Sequence, residues 1–212
     1  MKLVAFGDSI TKGTYTAKGD PSPNTIAKPC FAEILCEAIG CDQLINYGQN
    51  GTAISTVGGP FPKDALSLKV DRAEDAEVVI VCGGTNDYAA SIPIGTKEDR
   101  EDISFFGGLF VMFTKLKAKY PDSEIYVVTP IKRTNDGENQ TKATLADYRE
   151  AIEIRCREFG FPCIDGYGVN INPKNPEEKA IYMSDGLHPT PEGHALYAEY
   201  LAKEITRIRK AV

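Results

Sequence analysis

Four short segments of the 212-residue chain carry side chains that could do chemistry together: Gly7-Asp8-Ser9-Ile10, Asn46-Tyr47-Gly48-Gln49-Asn50-Gly51, Gly83-Gly84-Thr85-Asn86-Asp87 and Asp185-Gly186-Leu187-His188-Pro189. A serine hydroxyl is a weak nucleophile at neutral pH. It needs a base to take its proton, a group to orient that base, and donors to meet the oxyanion that forms. Ser9 is the candidate nucleophile, His188 the base and Asp185 the orienting carboxylate, which fixes the imidazole tautomer through the ring nitrogen that Ser9 does not use. Asp185 and His188 are close enough in sequence to meet within one turn of chain. The backbone N–H of Ser9, the backbone N–H of Gly51 and the side-chain amide of Asn86 are the candidate oxyanion donors. Loss of one such donor typically costs about 2.7–4 kcal/mol of transition-state stabilisation. Glycine suits position 51 because it permits close backbone approach and positive φ; Gly48 lies in the same block.

Each segment taken singly reads as a turn or a helix cap. Their order, and their placement relative to the strands described next, make them a constellation. His194 is the rival base, but it falls inside a helical pattern with no carboxylate three residues before it. Asp8 and Asp87 read as loop-holding carboxylates, with Asp87 the alternative triad acid. Thr11 stands two residues after Ser9, so the G-x-S-x-G signature of a strained nucleophile elbow is absent. Cys30, Cys36, Cys41, Cys82, Cys156 and Cys163 form no C-x-x-C pair, and with two histidines no zinc site of standard spacing is supported. The chemistry calls for no metal and no organic cofactor.

The elements that must position these groups are legible as apolar runs. Leu3–Phe6, Leu44–Tyr47, Val78–Cys82, Ile125–Thr129 and Pro162–Ile164 predict five buried strands. Between them, apolar residues spaced by three and four predict helices on Phe31–Ala38, Phe106–Leu116 and Leu145–Phe159, with a closing helix through Ala198, Leu201, Ile205 and Ile208. Thr190 and Pro191 are its expected N-cap and first residue, and Arg207, Arg209 and Lys210 complement its dipole at the far end. Strands alternating with helices predict an α/β class, a three-layer α/β/α sandwich on a five-stranded parallel sheet. Ser9, Gly51 and Asn86 all fall just past the first three strands, along the sheet edge where open α/β folds bind ligands. The irregular stretches Thr11–Pro29, Tyr88–Asp102, Pro130–Ala143 and Gly166–Ser184 follow strands and are expected to wall the pocket. They bring Tyr15, Tyr88, Arg133, Tyr167 and Tyr182 forward as candidate substrate-binding residues.

Composition narrows the setting. With 42% hydrophobic and 25% charged residues, residues 1–212 are expected to form one domain. A net charge of −6 with scattered Lys and Arg argues against nucleic acid as partner. The N-terminal apolar run is too short for a secretory signal and no run reaches membrane-spanning length, so no membrane is expected, and a cytoplasmic location with reduced thiols is.

The same residues show a family likeness: G-D-S-I at Gly7–Ile10, the glycine block ending at Gly51, G-T-N-D at Gly84–Asp87 and D-G-L-H-P at Asp185–Pro189 resemble, in order, the blocks of the SGNH hydrolases, also called GDSL esterases and lipases. The resemblance runs from residue 7 to the closing helix. It implies a flavodoxin-like strand order 2-1-3-4-5, and it carries the family's four named roles onto Ser9, Gly51, Asn86 and His188, with Asp185 completing the triad. The expected activity is hydrolysis of an ester or thioester through an acyl-enzyme. The partner would be a small-molecule ester, of small-acyl or acylated-carbohydrate type. Acyl transfer by the same triad, and a non-catalytic binding module on the same fold, are the alternatives. The sequence leaves oligomeric state open.

Overall fold

A computed structural model describes residues 1–20, 25–57 and 60–211. Residues 21–24 of the expected irregular stretch Thr11–Pro29 lie outside the described residues. Numbering only the strands of the main sheet, β1 (Lys2–Gly7), β2 (Gln43–Asn46), β3 (Val78–Cys82), β4 (Glu124–Val128) and β5 (Cys163–Ile164) lie in the order 2-1-3-4-5. Every neighbouring pair is parallel. The expected strand positions and the strand order are both found, with shifts of about one residue at the ends.

The sheet is covered on both faces, and its inner strands show why they read as unbroken apolar runs. Successive side chains point to opposite faces. Leu3, Ala5, Val78, Ile80, Tyr126 and Val128 pack under α2 (Phe31–Ala38) and α8 (Pro191–Arg209). Val4, Phe6, Val79, Val81, Ile125 and Val127 pack under α3 (Leu66–Arg72), α5 (Phe105–Lys119) and α6 (Leu145–Phe159). Each face needs an apolar residue at every second position, and the two demands interleave into a continuous run.

Short elements finish the carboxyl edge. α1 (Ser9–Lys12) leaves β1 directly, α4 (Thr85–Ala89) leaves β3, and α7 (Pro176–Tyr182) precedes the turn carrying His188. Thr14–Tyr15 and Thr25–Ile26 pair as a two-stranded antiparallel ribbon inside the stretch expected to be irregular. The closing helix is capped as expected, with Pro191 in its first turn and the Thr190 hydroxyl accepting from the Gly193 N–H at 3.2 Å. Cys30, Cys36, Cys41, Cys82 and Cys156 are buried thiols, and Cys163 is partly buried. Among the described residues no helix is long and apolar enough to cross a membrane.

Candidate active site

The strand order reverses around β1: β2 lies on one side of it and β3 on the other. That is the switch point at which open α/β sheets form a crevice beyond their strand ends. Gly7, the last residue of β1, is in register with Cys82, the last of β3, so the segments that follow both strands emerge side by side. Ser9 is the first residue of α1, and its N–H is among those a helix N-terminus leaves without an intrahelical acceptor. Asp8 caps the helix by accepting from the Ile10 N–H at 2.9 Å. Burial pushes the Asp8 carboxyl up to about 6, against the pull of that hydrogen bond and of His188 nearby.

Asp185 and His188 form a local unit. Gly186 turns the chain with φ +80°, and Asp185 Oδ1 accepts the backbone N–H of Leu187 at 2.9 Å and of His188 at 2.7 Å. The imidazole is thereby swung back over the carboxylate, and Nδ1 lies 2.7 Å from Asp185 Oδ2. Thr16 Oγ1 donates to the same oxygen at 2.8 Å. Burial pushes the Asp185 carboxyl up, but these hydrogen bonds from His188, Leu187 and Thr16 outweigh it and hold the group well below the usual carboxylate range. On the far side of the ring, His188 Nε2 lies 2.8 Å from Ser9 Oγ. Ser9 and His188 are 6% and 7% exposed, so water screens this contact little.

The segment after β2 is tied to both neighbours. Its Gln49–Thr52 turn closes through the Thr52 N–H to the Gln49 carbonyl at 3.2 Å and needs a positive φ at Gly51, which is +74°. A Cβ at Gly48 would instead run into the backbone of Thr11 and Lys12, so that glycine serves the packing of the loop on α1. Gln49 N–H donates to the Gly7 carbonyl at 3.3 Å. From the other side, Asn86 Nδ2 donates to the Thr52 carbonyl at 2.9 Å, which aims the amide and leaves its second N–H for another acceptor. The Asp87 carboxylate, fully buried, accepts from the Ile54 N–H at 2.9 and 3.1 Å and from the Ser55 N–H at 3.1 Å. Burial pushes it up to about 7 despite those bonds. The structure thus brings all five expected residues onto one edge, and Asp87 takes the loop-holding role rather than that of triad acid.

His194 is not placed to act on Ser9. It is fully buried, its ring is stacked on Phe31 at 6.0 Å, and its Nδ1 accepts the Phe31 N–H at 3.3 Å, satisfying a donor at the start of α2. Among the tyrosines, Tyr88 is buried and donates to the Gly137 carbonyl at 2.9 Å, and Tyr15 adjoins Thr16 in the ribbon. The Tyr167 ring centre lies 3.6 Å from the Arg149 guanidinium carbon, a partly buried stack. Tyr182 packs against the core at the end of α7. Arg133 reaches Thr85.

Two contributors escape a reading of the sequence. Thr16 is one hydroxyl among many in a turn-rich stretch. Lys69 is buried, and its Nζ donates to the Tyr47 carbonyl at 3.0 Å and approaches the Thr52 hydroxyl at 3.5 Å, bracing the Gly51 loop. Its signal is a lysine within the apolar run Leu66-Ser67-Leu68-Lys69-Val70. A cavity of about 660 Å³ lies at the opposite, amino edge of the sheet between Tyr120, Phe159, Phe161 and Arg209, and holds no catalytic candidate. Among the described residues no cluster of three or more His, Cys, Asp or Glu side chains could hold a metal ion.

Comparison with known proteins finds the same fold in solved structures. A solved protein from Lactobacillus plantarum shares 26% identity over 97% of this chain and 96% of its own, with a TM-score of 0.83. A possible lipase from Chitinophaga pinensis superposes with a TM-score of 0.72 at 21% identity, over 98% of both chains. The aryl esterase of M. smegmatis superposes with a TM-score of 0.69 at 17% identity, over 97% of this chain and 98% of that one. These two likenesses concern the fold. No curated protein matches the sequence significantly. Residues 5–196 match the model of the GDSL-like lipase/acylhydrolase family, a span that takes in all four segments from Ser9 to His188, and the chain therefore belongs to that family of esterase- and lipase-type hydrolases.

Proposed function

We propose that the protein is a serine esterase that cleaves a short-acyl ester through an acyl-enzyme, and that residues 1–212 act as one catalytic domain. The observation that carries the reading is the continuous chain Ser9 Oγ, His188 Nε2, His188 Nδ1, Asp185 Oδ2, with successive contacts of 2.8 and 2.7 Å. With Nδ1–H donating to Asp185, Nε2 is the acceptor for the Ser9 proton. Ser9 Oγ attacks the ester carbonyl as Nε2 takes that proton, and the ionised Asp185 stabilises the imidazolium. The oxyanion is met by the N–H of Ser9, the N–H of Gly51 and the free N–H of Asn86. Collapse expels the alcohol, which leaves with the proton from Nε2. Water, deprotonated by the same nitrogen, then releases the acid and restores Ser9.

Acetylated carbohydrates fall within the substrate class. We assign the enzyme to the cytoplasm, where its cysteines would remain reduced thiols. The test is covalent: a fluorophosphonate should label Ser9 stoichiometrically, and Ser9→Ala should lose both labelling and hydrolysis of p-nitrophenyl acetate. Full hydrolysis by Ser9→Ala would overturn the reading.

A further inference from the structure

Arg133 is a cation with no carboxylate partner among the described residues, at the edge of the site. It follows β4, and the next residue, Thr134, donates its N–H to the Gly186 carbonyl at 2.8 Å, in the turn that carries Asp185 and His188. The side chain reaches the other way. Nη1 donates to the Thr85 hydroxyl at 2.9 Å and to the Thr85 carbonyl at 3.3 Å, one residue before Asn86. The guanidinium carbon lies 5.2 Å from the centre of the Tyr88 ring. Arg133 therefore bridges the helix bearing the oxyanion amide and the turn bearing the base, near enough to Asp8 and Asp185 to feel their charges.

Two N–H bonds of Nη1 account for the contacts with Thr85. Nε is buried and has no hydrogen-bond partner, and Nη2 has none among the described residues. Nε and Nη2 form the edge through which a guanidinium takes a carboxylate in two parallel hydrogen bonds. Holding Thr85 requires only Nη1, so the structural role leaves this edge unexplained. Arg133 also lines a cavity of about 480 Å³ with Tyr88, Ser91, Asn135 and Asn139; the acidic residue in its wall, Glu138, lies 3.6 Å from Lys142 Nζ.

The geometry points to Arg133 as a specificity-determining residue whose guanidinium takes a substrate carboxylate through Nη2, with the buried, unpartnered Nε behind it, while Ser9 attacks the ester of the same substrate. This rests on the esterase reading. The carboxylate can belong to the acyl or the alcohol half, and two substrate pairs separate these sources: monoethyl succinate against ethyl succinamate, and O-acetyl-lactate against O-acetyl-lactamide. In at least one pair, kcat/KM of wild type measured by pH-stat should favour the acid by about tenfold or more, in keeping with charge-assisted hydrogen bonds. The ratio should fall to near one in Arg133→Met, which keeps the stem over Tyr88, and stay above one in Arg133→Lys. If Arg133→Met does not fold, succinate should inhibit p-nitrophenyl acetate hydrolysis by wild type more strongly than succinamide does, and that contrast should weaken in Arg133→Lys. A wild type that cleaves p-nitrophenyl acetate but shows a ratio near one in both pairs overturns this inference alone, as does a ratio that survives in Arg133→Met. Loss of Ser9 dependence would instead overturn the esterase reading beneath it.

Discussion

Asp185→Asn changes one heavy atom, and its outcome follows from the unequal loads on the two carboxylate oxygens. Oδ1 accepts the backbone N–H groups of Leu187 and His188 at 2.9 and 2.7 Å. Oδ2 takes the Thr16 hydroxyl at 2.8 Å and faces His188 Nδ1 at 2.7 Å. An asparagine has a single oxygen to offer. Placing its NH2 at the Oδ1 position would set donors against two backbone donors that cannot turn away. Placing it at Oδ2 asks only that the Thr16 hydroxyl rotate and that His188 accept at Nδ1. The second arrangement wins, and the imidazole is then protonated at Nε2, with that N–H aimed at Ser9 Oγ. Such a histidine cannot take the proton. For p-nitrophenyl acetate near neutral pH, kcat should fall about 10⁴-fold, the size of loss a wrong tautomer causes in a serine triad, equivalent to about 5.5 kcal/mol of barrier. The melting temperature should move little, because both backbone bonds to Oδ1 persist. Steady-state rates and the rate of fluorophosphonate labelling, with folding checked by circular dichroism, measure the effect. A folded Asp185→Asn enzyme that keeps more than about a tenth of wild-type kcat would refute the tautomer argument.

Three further outcomes are expected. Asn86→Ala removes one oxyanion donor and the brace on the Thr52 carbonyl, so steady-state kinetics should show kcat lower by about 10²–10³ with KM little changed; an effect confined to KM would count against that role. Asp87→Ala strips the acceptor from the buried N–H groups of Ile54 and Ser55, and at about 1–3 kcal/mol for each unpaired group, urea unfolding should register a loss of about 2–6 kcal/mol. Burial pushes His194 down to about 4, below its unfolded value, so the unfolded chain binds more protons between those two points. The stability held by neutral His194 is complete above a pH of about 6.5 and drains as pH falls towards 4. The unfolding free energy of wild type relative to His194→Phe should therefore shrink by on the order of 2 kcal/mol between pH 7 and 4.5, and a difference independent of pH would contradict it.

How far the sequence carried depended on whether a residue's environment is written into its neighbours. The inner strands are covered on both faces, so β3 stands in the chain as the unbroken run Val78–Cys82. The helix α3 was not visible, because its buried face is Leu66, Ser67, Lys69 and Val70, and two polar residues there break the apolar period. α7 has no fully buried residue, only partly buried ones such as Tyr182, and offers no period to find. In the site, Ser9, Asp185 and His188 were legible because their chemistry is restricted to few residue types and their segments follow or precede recognisable elements. Arg133 was legible as a charge on a loop, but its free edge depends on Thr85, which lies 48 positions away in sequence. The same holds for Lys69, whose acceptors on Tyr47 and Thr52 come from another loop.

The contact between Ser9 and His188 spans 179 positions of chain. Asp185 and His188 need only their own turn to meet, but the proposed nucleophile meets its proposed base only after β1 has joined the sheet and the segment leading into α8 has docked beside it. On the proposed mechanism, turnover is therefore a proofreading signal for the finished molecule: a chain in which α8 has frayed from the sheet carries its serine and its imidazole intact and should be catalytically silent. In a denaturant titration, hydrolysis should fade at or before the point where helical signal is lost, since local opening of one terminal element is enough to separate the pair.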